Sequence, residues 1–339
     1  MRITALVKRI VLQLVRDKRT LALLLVAPLL ILTLMHFLFT SNDVPSTIGV
    51  VGASSEMIER LESQDFEVSI VEKMTSSEEV VVKEELDGLF YFDGDKIELT
   101  LENEDPSQSG MLQAKLRQVL SPAVNDSTIE VTYVYGSEDT TFFDVLSPVL
   151  VGFFVFFFVF LISGIGLLRE RTTGTLERLL ATPIKRWEIV FGYLIGYGLF
   201  AVIQTIVVVV YAVNVLDMIL LGSIWHVLLI NGLIALVALS LGILLSSFAA
   251  SEFQMIQFIP LVIIPQVFFT GIIPIGRMPD WLQGLSKIMP ISYGANALKN
   301  VMYKGQELVD VQFELMVLSG FALVFILLNI LALKKHRNQ

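Results

Sequence analysis

Cysteine is absent from this 339-residue chain. That excludes disulfides and thiolate metal sites, and it says nothing decisive about compartment. Charge is scarce as well: 17% of residues are Asp, Glu, Lys or Arg, while 54% are hydrophobic. A soluble protein of this length needs more polar surface. The three histidines, His36, His226 and His336, are far apart in sequence and show no metal-ligand spacing. No G-x-x-x-x-G-K-[ST] stretch occurs, so the chain has no P-loop with which to cradle ATP phosphates. No His/Asp/Ser set suggests a nucleophilic catalyst. The chain is therefore not expected to be an enzyme, to carry a cofactor or to hold a metal by itself.

What is present is long apolar sequence, with a mean hydropathy of +0.72. A hydrocarbon core of about 30 Å takes about 20 helical residues to cross. Six runs approach that length: 21–39, 145–168, 189–213, 224–250, 256–271 and 313–333. Pro260 and Pro265 interrupt the fifth, which is tolerated where neighbours satisfy the freed carbonyls. The first run has the basic flank of a signal peptide, but it is too long and no small-x-small cleavage site follows. It reads as an uncleaved signal anchor. Ionisable residues are missing from the middle of the runs, where each would cost at least about 2.5–3.5 kcal/mol, so a proton or ion relay lacks its usual carriers. Gln204, Asn231 and Gln266 are candidates for a substrate path, although such residues often only hydrogen-bond between helices. Phe154 and Phe157, in "GFFVFFFVF", could line a route for a lipophilic molecule, with lipid contact as the simpler reading. Gly192-x-x-x-Gly196 permits close helix packing.

The net charge of −9 conceals an asymmetry. Residues 41–144 carry 23 acidic and 6 basic residues, or −17, which leaves +8 elsewhere. A block this acidic is not a nucleic-acid binder. Basic residues flank the spans at Arg2, Lys8, Arg9, Arg16, Lys18 and Arg19, at Arg169, Arg171, Arg178, Lys185 and Arg186, and at Lys334, Lys335 and Arg337. By the positive-inside rule all three segments are cytoplasmic, and the acidic block is outside. The first segment, residues 1–19, spaces Ile3, Leu6, Val7, Ile10 and Leu14 on one helical face, as in a helix lying in the membrane interface. Within residues 41–144, "STIGVVG", "FEVSIV", "GLFYF", "KIELTL" and "STIEVTYVYG" read as strands. Helices are expected over 54–63, after the Ser76-x-x-Glu79 capping box, and after Asp105-Pro106. Asp93-Gly94 is a hairpin signal. Asp93, Asp95 and Glu98 fall short of a calcium loop. The block is predicted to be a small α/β domain.

The charged insert of residues 169–188 separates two apolar runs. Gly174 or Thr173 can cap a helix whose Leu176, Leu179 and Leu180 fall at i, i+3 and i+4, with Glu177 near its N-terminus, where the dipole favours an anion. Pro183 ends that helix, and Thr182-Pro183 is expected to open the next one. The leucine face needs a partner: lipid, the chain's own helices, or a groove on a soluble protein. Proline-bounded short amphipathic or re-entrant helices are expected over 274–312.

"RERTTGTLERLLATPIKRWEIVFGYLIGY" resembles the cytoplasmic segment of ABC-2 type transporter permeases. "FFTGIIPIGRMPDWLQGLSKIMPISYGANALKNVMYKG" is similar to the C-terminal signature of that family, including its drug and linearmycin-resistance type members. The resemblance implies a six-span α-helical polytopic membrane protein of ABC-2 exporter type, with an inserted extracellular α/β domain, in a bacterial plasma membrane with both termini cytoplasmic. It makes Gly174, Thr175, Leu176, Glu177, Arg178, Leu179, Leu180 and Pro183 a coupling segment docked on a separate ATPase subunit. Leu176 and Leu180 would fill the ATPase groove, while Glu177 and Arg178 would pair at its rim. It further implies two ATPase copies carrying ATP and Mg²⁺, a second permease subunit, identical or homologous, and a lipophilic or amphiphilic cargo. Cation efflux, or a membrane-anchored sensor, are the alternatives.

Overall fold

A computed structural model describes residues 2–38, 47–52, 58, 67–71, 76–83, 86–93, 96–103, 109, 112–113, 130–137, 140, 142–272 and 278–336. The chain divides into two compact units, His36–Val145 and the combination of Met1–Met35 with Leu146–Gln339.

The smaller unit is built on five strands: β1 Thr47–Val51, β2 Glu67–Ile70, β3 Gly88–Asp93, β4 Lys96–Leu101 and β5 Glu130–Tyr133. They lie in the order β2-β1-β3-β4-β5. β1 runs parallel to β2 and β3, β4 runs parallel to β5, and β3 and β4 pair antiparallel. The five strands read from the sequence are these five. Parallel neighbours need crossover connections. One described helix, Ser77–Lys83, supplies the crossover between β2 and β3. Its Val80 and Val81 close over Val71, Leu86 and Leu89. Consecutive Leu89 and Phe90 are both buried, so both faces of β3 are covered. The β3–β4 register pairs Asp93 with Lys96. The hairpin loop is therefore residues 94–95, which lie outside the described residues, as do the expected helix over 54–63 and most of the one after Asp105-Pro106.

The larger unit is helical. Numbering Ser77–Lys83 as α3, its helices are α1 Arg2–Arg16, α2 Lys18–Leu38, α4 Phe142–Thr172, α5 Thr175–Leu180, α6 Arg186–Asn214, α7 Ile224–Ser246, α8 Glu252–Phe268, α9 Asp280–Ser286, α10 Pro290–Met302 and α11 Gln312–His336. Among the described residues, five helices are long and apolar enough to cross a membrane: α2, α4, α6, α7 and α11. The sixth expected span falls on α8. This helix is apolar but only 17 residues long, with Pro260 and Pro265 inside it. At about 1.5 Å per residue it reaches roughly 25 Å, short of the roughly 30 Å core. Its start is well made: the N-cap Ser251 Oγ accepts from Gln254 N at 3.2 Å, and Gln254 Oε1 accepts from Ala250 N, just before the cap, at 2.7 Å.

α4 is the centre of this unit. Phe154, Phe156, Phe158 and Phe160 are all buried, and Phe157 is half-buried. These four buried rings meet protein rather than lipid, while Phe153 and Phe157 stay partly open. Glycines bring the neighbours in. A Cβ on Gly152 would lie 2.5 Å from Leu298 Cδ1 of α10, one on Gly164 would lie 2.2 Å from Met255 Cε of α8, and one on Gly242 of α7 would lie 2.6 Å from Phe160 O. Close approach on several sides wraps the phenylalanines in protein.

α1 turns its stripe onto α6. Leu6, Ile10 and Leu14 are buried. A Cβ at Gly192 would meet Leu6 Cδ2 at 2.3 Å, and one at Gly196 would meet Ile10 Cγ2 at 2.9 Å. The two glycines form the groove that takes α1.

Candidate functional site

The insert between α4 and α6 begins where α4 stops. Thr173 Oγ1 donates to Arg169 O at 2.7 Å, and Gly174 N donates to Arg171 O at 3.0 Å, which satisfies carbonyls at the helix end. Gly174 has φ +70° and ψ +9°, a left-handed turn that costs any residue with a Cβ. This turn lets α5 start at Thr175 at an angle to α4. α5 ends after six residues. Thr182 Oγ1 donates back to Leu179 O at 2.6 Å, so Thr182 closes α5 rather than opening α6. The expected Thr182-Pro183 start of the next helix is corrected accordingly. α6 starts at Arg186, where Glu188 Oε2 accepts from Lys185 N at 2.7 Å, because a glutamate at the third helical position can reach back to an orphan donor.

Three consecutive residues at the end of α4 hold this insert. Arg169 reaches Glu252 of α8 at 3.1 Å and Asp17, between α1 and α2, at 3.8 Å. Glu170, 4% exposed, accepts from Arg9 Nη2 of α1 at 2.8 Å and from Tyr193 Oη of α6 at 3.3 Å. Arg9 also donates to Tyr193 Oη at 3.2 Å, so three helices share one buried charge. Arg171 donates to Ser246 O and, at 3.0 Å, to Ala249 O, placing a cation on the carbonyls where α7 ends. From the far side, Arg2 donates to Pro183 O and lies 3.8 Å from Glu188. Asp17 caps α2 through Thr20 N at 3.1 Å and Thr20 Oγ1 at 2.6 Å. The Thr20 bonds, and then the charge of Arg169, hold its carboxyl below the usual carboxylate range.

Glu177, Arg178, Ala181, Thr182 and Pro183 are exposed, and Leu179 and Leu180 are half-buried. Leu176 is only 3% exposed. It is packed within this chain, so it is not on offer to a groove of another protein as it stands. What α5 presents outward is a charged ridge edged by Leu179 and Leu180.

The substrate-path candidates lie on four helices: Phe154 and Phe157 on α4, Gln204 on α6, Asn231 on α7 and Gln266 on α8. Gln204 donates to the Phe154 carbonyl at 3.5 Å. Gln266 Oε1 accepts from Ile291 N at the start of α10, at 3.2 Å. Asn231 donates to Val227 O of its own helix at 3.1 Å, while Phe157 stays half-buried beside Phe153 and Phe158. The sequence reading missed Arg9, Glu170, Arg171 and Tyr193. The signal lies in "RER", directly after an apolar run, where basic residues also serve as topology markers.

The chain is 28% identical over 60% of its length to ABC transporter G family member 20 of Dictyostelium discoideum, covering 29% of that protein. It is 26% identical over 55% of its length to the probable multidrug ABC transporter permease YbhR of Escherichia coli K12, covering 51% of it. It is 31% identical over 47% of its length to the inner membrane transport permease YhhJ of the same organism, covering 44%. The chain thus spans about half or less of the length of these relatives. No solved structure matches it. The model of the ABC-2 family transporter proteins matches residues 18–331, and with nearly the whole chain inside that match, the protein belongs to the ABC-2 transporter family.

Proposed function

We propose that this chain is the membrane subunit of an ATP-driven exporter and that α5 is its coupling helix. The observation that carries this is the insert itself. It is a short helix with an exposed charged ridge, set by a left-handed glycine and fixed through Arg169, Glu170 and Arg171 to α8, to α1 and α6, and to α7. A force applied to α5 is passed to those helices rather than absorbed by a loop. The chain has no P-loop, so ATP and Mg²⁺ are assigned to two copies of a separate ATPase, working under a pair of permease subunits. On this reading the membrane is a bacterial plasma membrane, α1, the insert and both termini are cytoplasmic and the acidic α/β unit is outside, an orientation that the basic flanking segments support. The cargo is a lipophilic or amphiphilic molecule, a reading supported by the multidrug name of one relative and by the lack of ionisable residues midway along the spans.

The test is copurification of the full chain with its ATPase, followed by hydrolysis in nanodiscs. Arg178→Glu combined with Leu180→Asp should abolish copurification while the permease still elutes as the wild type does. Full ATPase retention by that variant would overturn the docking assignment.

A further inference from the structure

A cavity of about 260 Å³ lies between the α1–α2 elbow and α4, closed on one side by Tyr197 of α6. Its walls are apolar: Leu14 of α1, Leu23 of α2, and Leu161, Ile162 and Ile165 of α4. Its rim is charged, with Asp17, Arg19 and Arg169. Leu23 is 45% exposed, so the cavity opens outward along α2. Pockets that enclose a drug-sized ligand hold about 300–1,000 Å³. This one is smaller and amphipathic, so it suits the end of a longer molecule whose polar part stays at the rim.

The charges decide which polar part. Both oxygens of Asp17 are taken by Thr20, and Arg169 is engaged by Glu252 and Asp17. Arg19 is exposed and has no carboxylate partner among the described residues, and Arg16 and Lys18 are exposed beside it. The elbow thus offers three cations against one carboxylate that is already occupied. A basic cluster where a membrane-crossing helix begins is a site for anionic headgroups.

We propose that the cavity binds an anionic phospholipid of the cytoplasmic leaflet, its phosphate on Arg19 and an acyl chain along Leu14, Leu23 and Ile165. The lipid bridges α1, α2 and α4 beside the α1–α4–α6 charge cluster, and so ties that cluster to membrane composition. The proposal rests on the cytoplasmic placement of the elbow, but not on any cargo.

The experiment uses the full chain in phosphatidylcholine nanodiscs doped with a photoreactive phosphatidylglycerol. Crosslinks should map to residues 13–23 or 161–169. Unlabelled phosphatidylglycerol should compete, while added phosphatidylcholine and inorganic phosphate should not. Arg19→Gln, a surface change, should lower labelling about fivefold, the worth of one basic residue near an anionic surface. Ile165→Trp should fill the cavity and abolish labelling. Equal competition by phosphatidylcholine, displacement by inorganic phosphate, or unchanged labelling in Arg19→Gln would each overturn the site. The premise is tested apart from it. Because the chain lacks cysteine, Lys18→Cys gives a single thiol, and modification of that thiol from outside the cell would remove the cytoplasmic elbow while leaving the lipid data to be read separately.

Discussion

Glu170 is a carboxylate with almost no access to water, and Arg9 is what makes it tolerable. The pair is held at 2.8 Å, with the Tyr193 hydroxyl as a second donor. Burying a charge is costly unless it is paired and hydrogen-bonded. Removing one partner of a fully enclosed pair costs roughly 3–5 kcal/mol. The Arg9 side chain is 33% exposed, so solvent screens part of its contribution, and Arg9→Ala should cost about 2 kcal/mol. A thermal-unfolding series in detergent checks this. Adding Glu170→Gln to Arg9→Ala should recover part of the loss, because the double variant no longer buries an unpaired charge. If the double variant is as unstable as the sum of the two singles, the residues do not act as a pair.

At the scale of elements, the arrangement depends on places where a side chain is missing. Gly192 and Gly196 admit Leu6 and Ile10, and that contact seats α1 beside the insert. Gly192→Leu would put a branched side chain where Leu6 now lies, at a cost of about 1–3 kcal/mol for overpacking. The expected outcome is an α1 released from α6 while the spans stay folded. Limited proteolysis should then cut near residues 8–19 (rich in Lys and Arg) faster than in the wild type, and an unchanged cutting rate would mean that α1 does not depend on this groove. Gly174 serves differently: its open surroundings and φ of +70° make it a backbone requirement rather than a packing one.

Across the whole molecule, stability is concentrated in α4. Phe156, 1% exposed, sits in the middle of it, whereas Leu30 of α2 is 62% exposed. Phe156→Ala should therefore cost about 3–5 kcal/mol, and Leu30→Ala should stay within about 0.5 kcal/mol. Unfolding in detergent distinguishes them. Equal effects would mean that α4 is not the core of the helical unit.

Much of this organisation was legible in the chain. Long apolar runs pointed to membrane helices, since a helix needs about 20 residues to cross a hydrocarbon core. Alternating strands and turn residues gave the five strands, and Gly174 before "TLERLL" gave the short helix, because each of these signals is local. Even the place of the insert followed from the order of apolar and charged segments. Facing is not a local property, and there the sequence ran out. Leu176 and Leu180 are chemically alike and share a stripe, yet one is buried in this chain and the other is half open. The phenylalanines of α4 could equally have met lipid. "RER" could be read as three charges, but not as three contacts to separate helices. Only the tertiary structure decided these, because lipid and protein interior are equally apolar to a side chain, and what separates them is which neighbours approach closely enough to exclude the lipid.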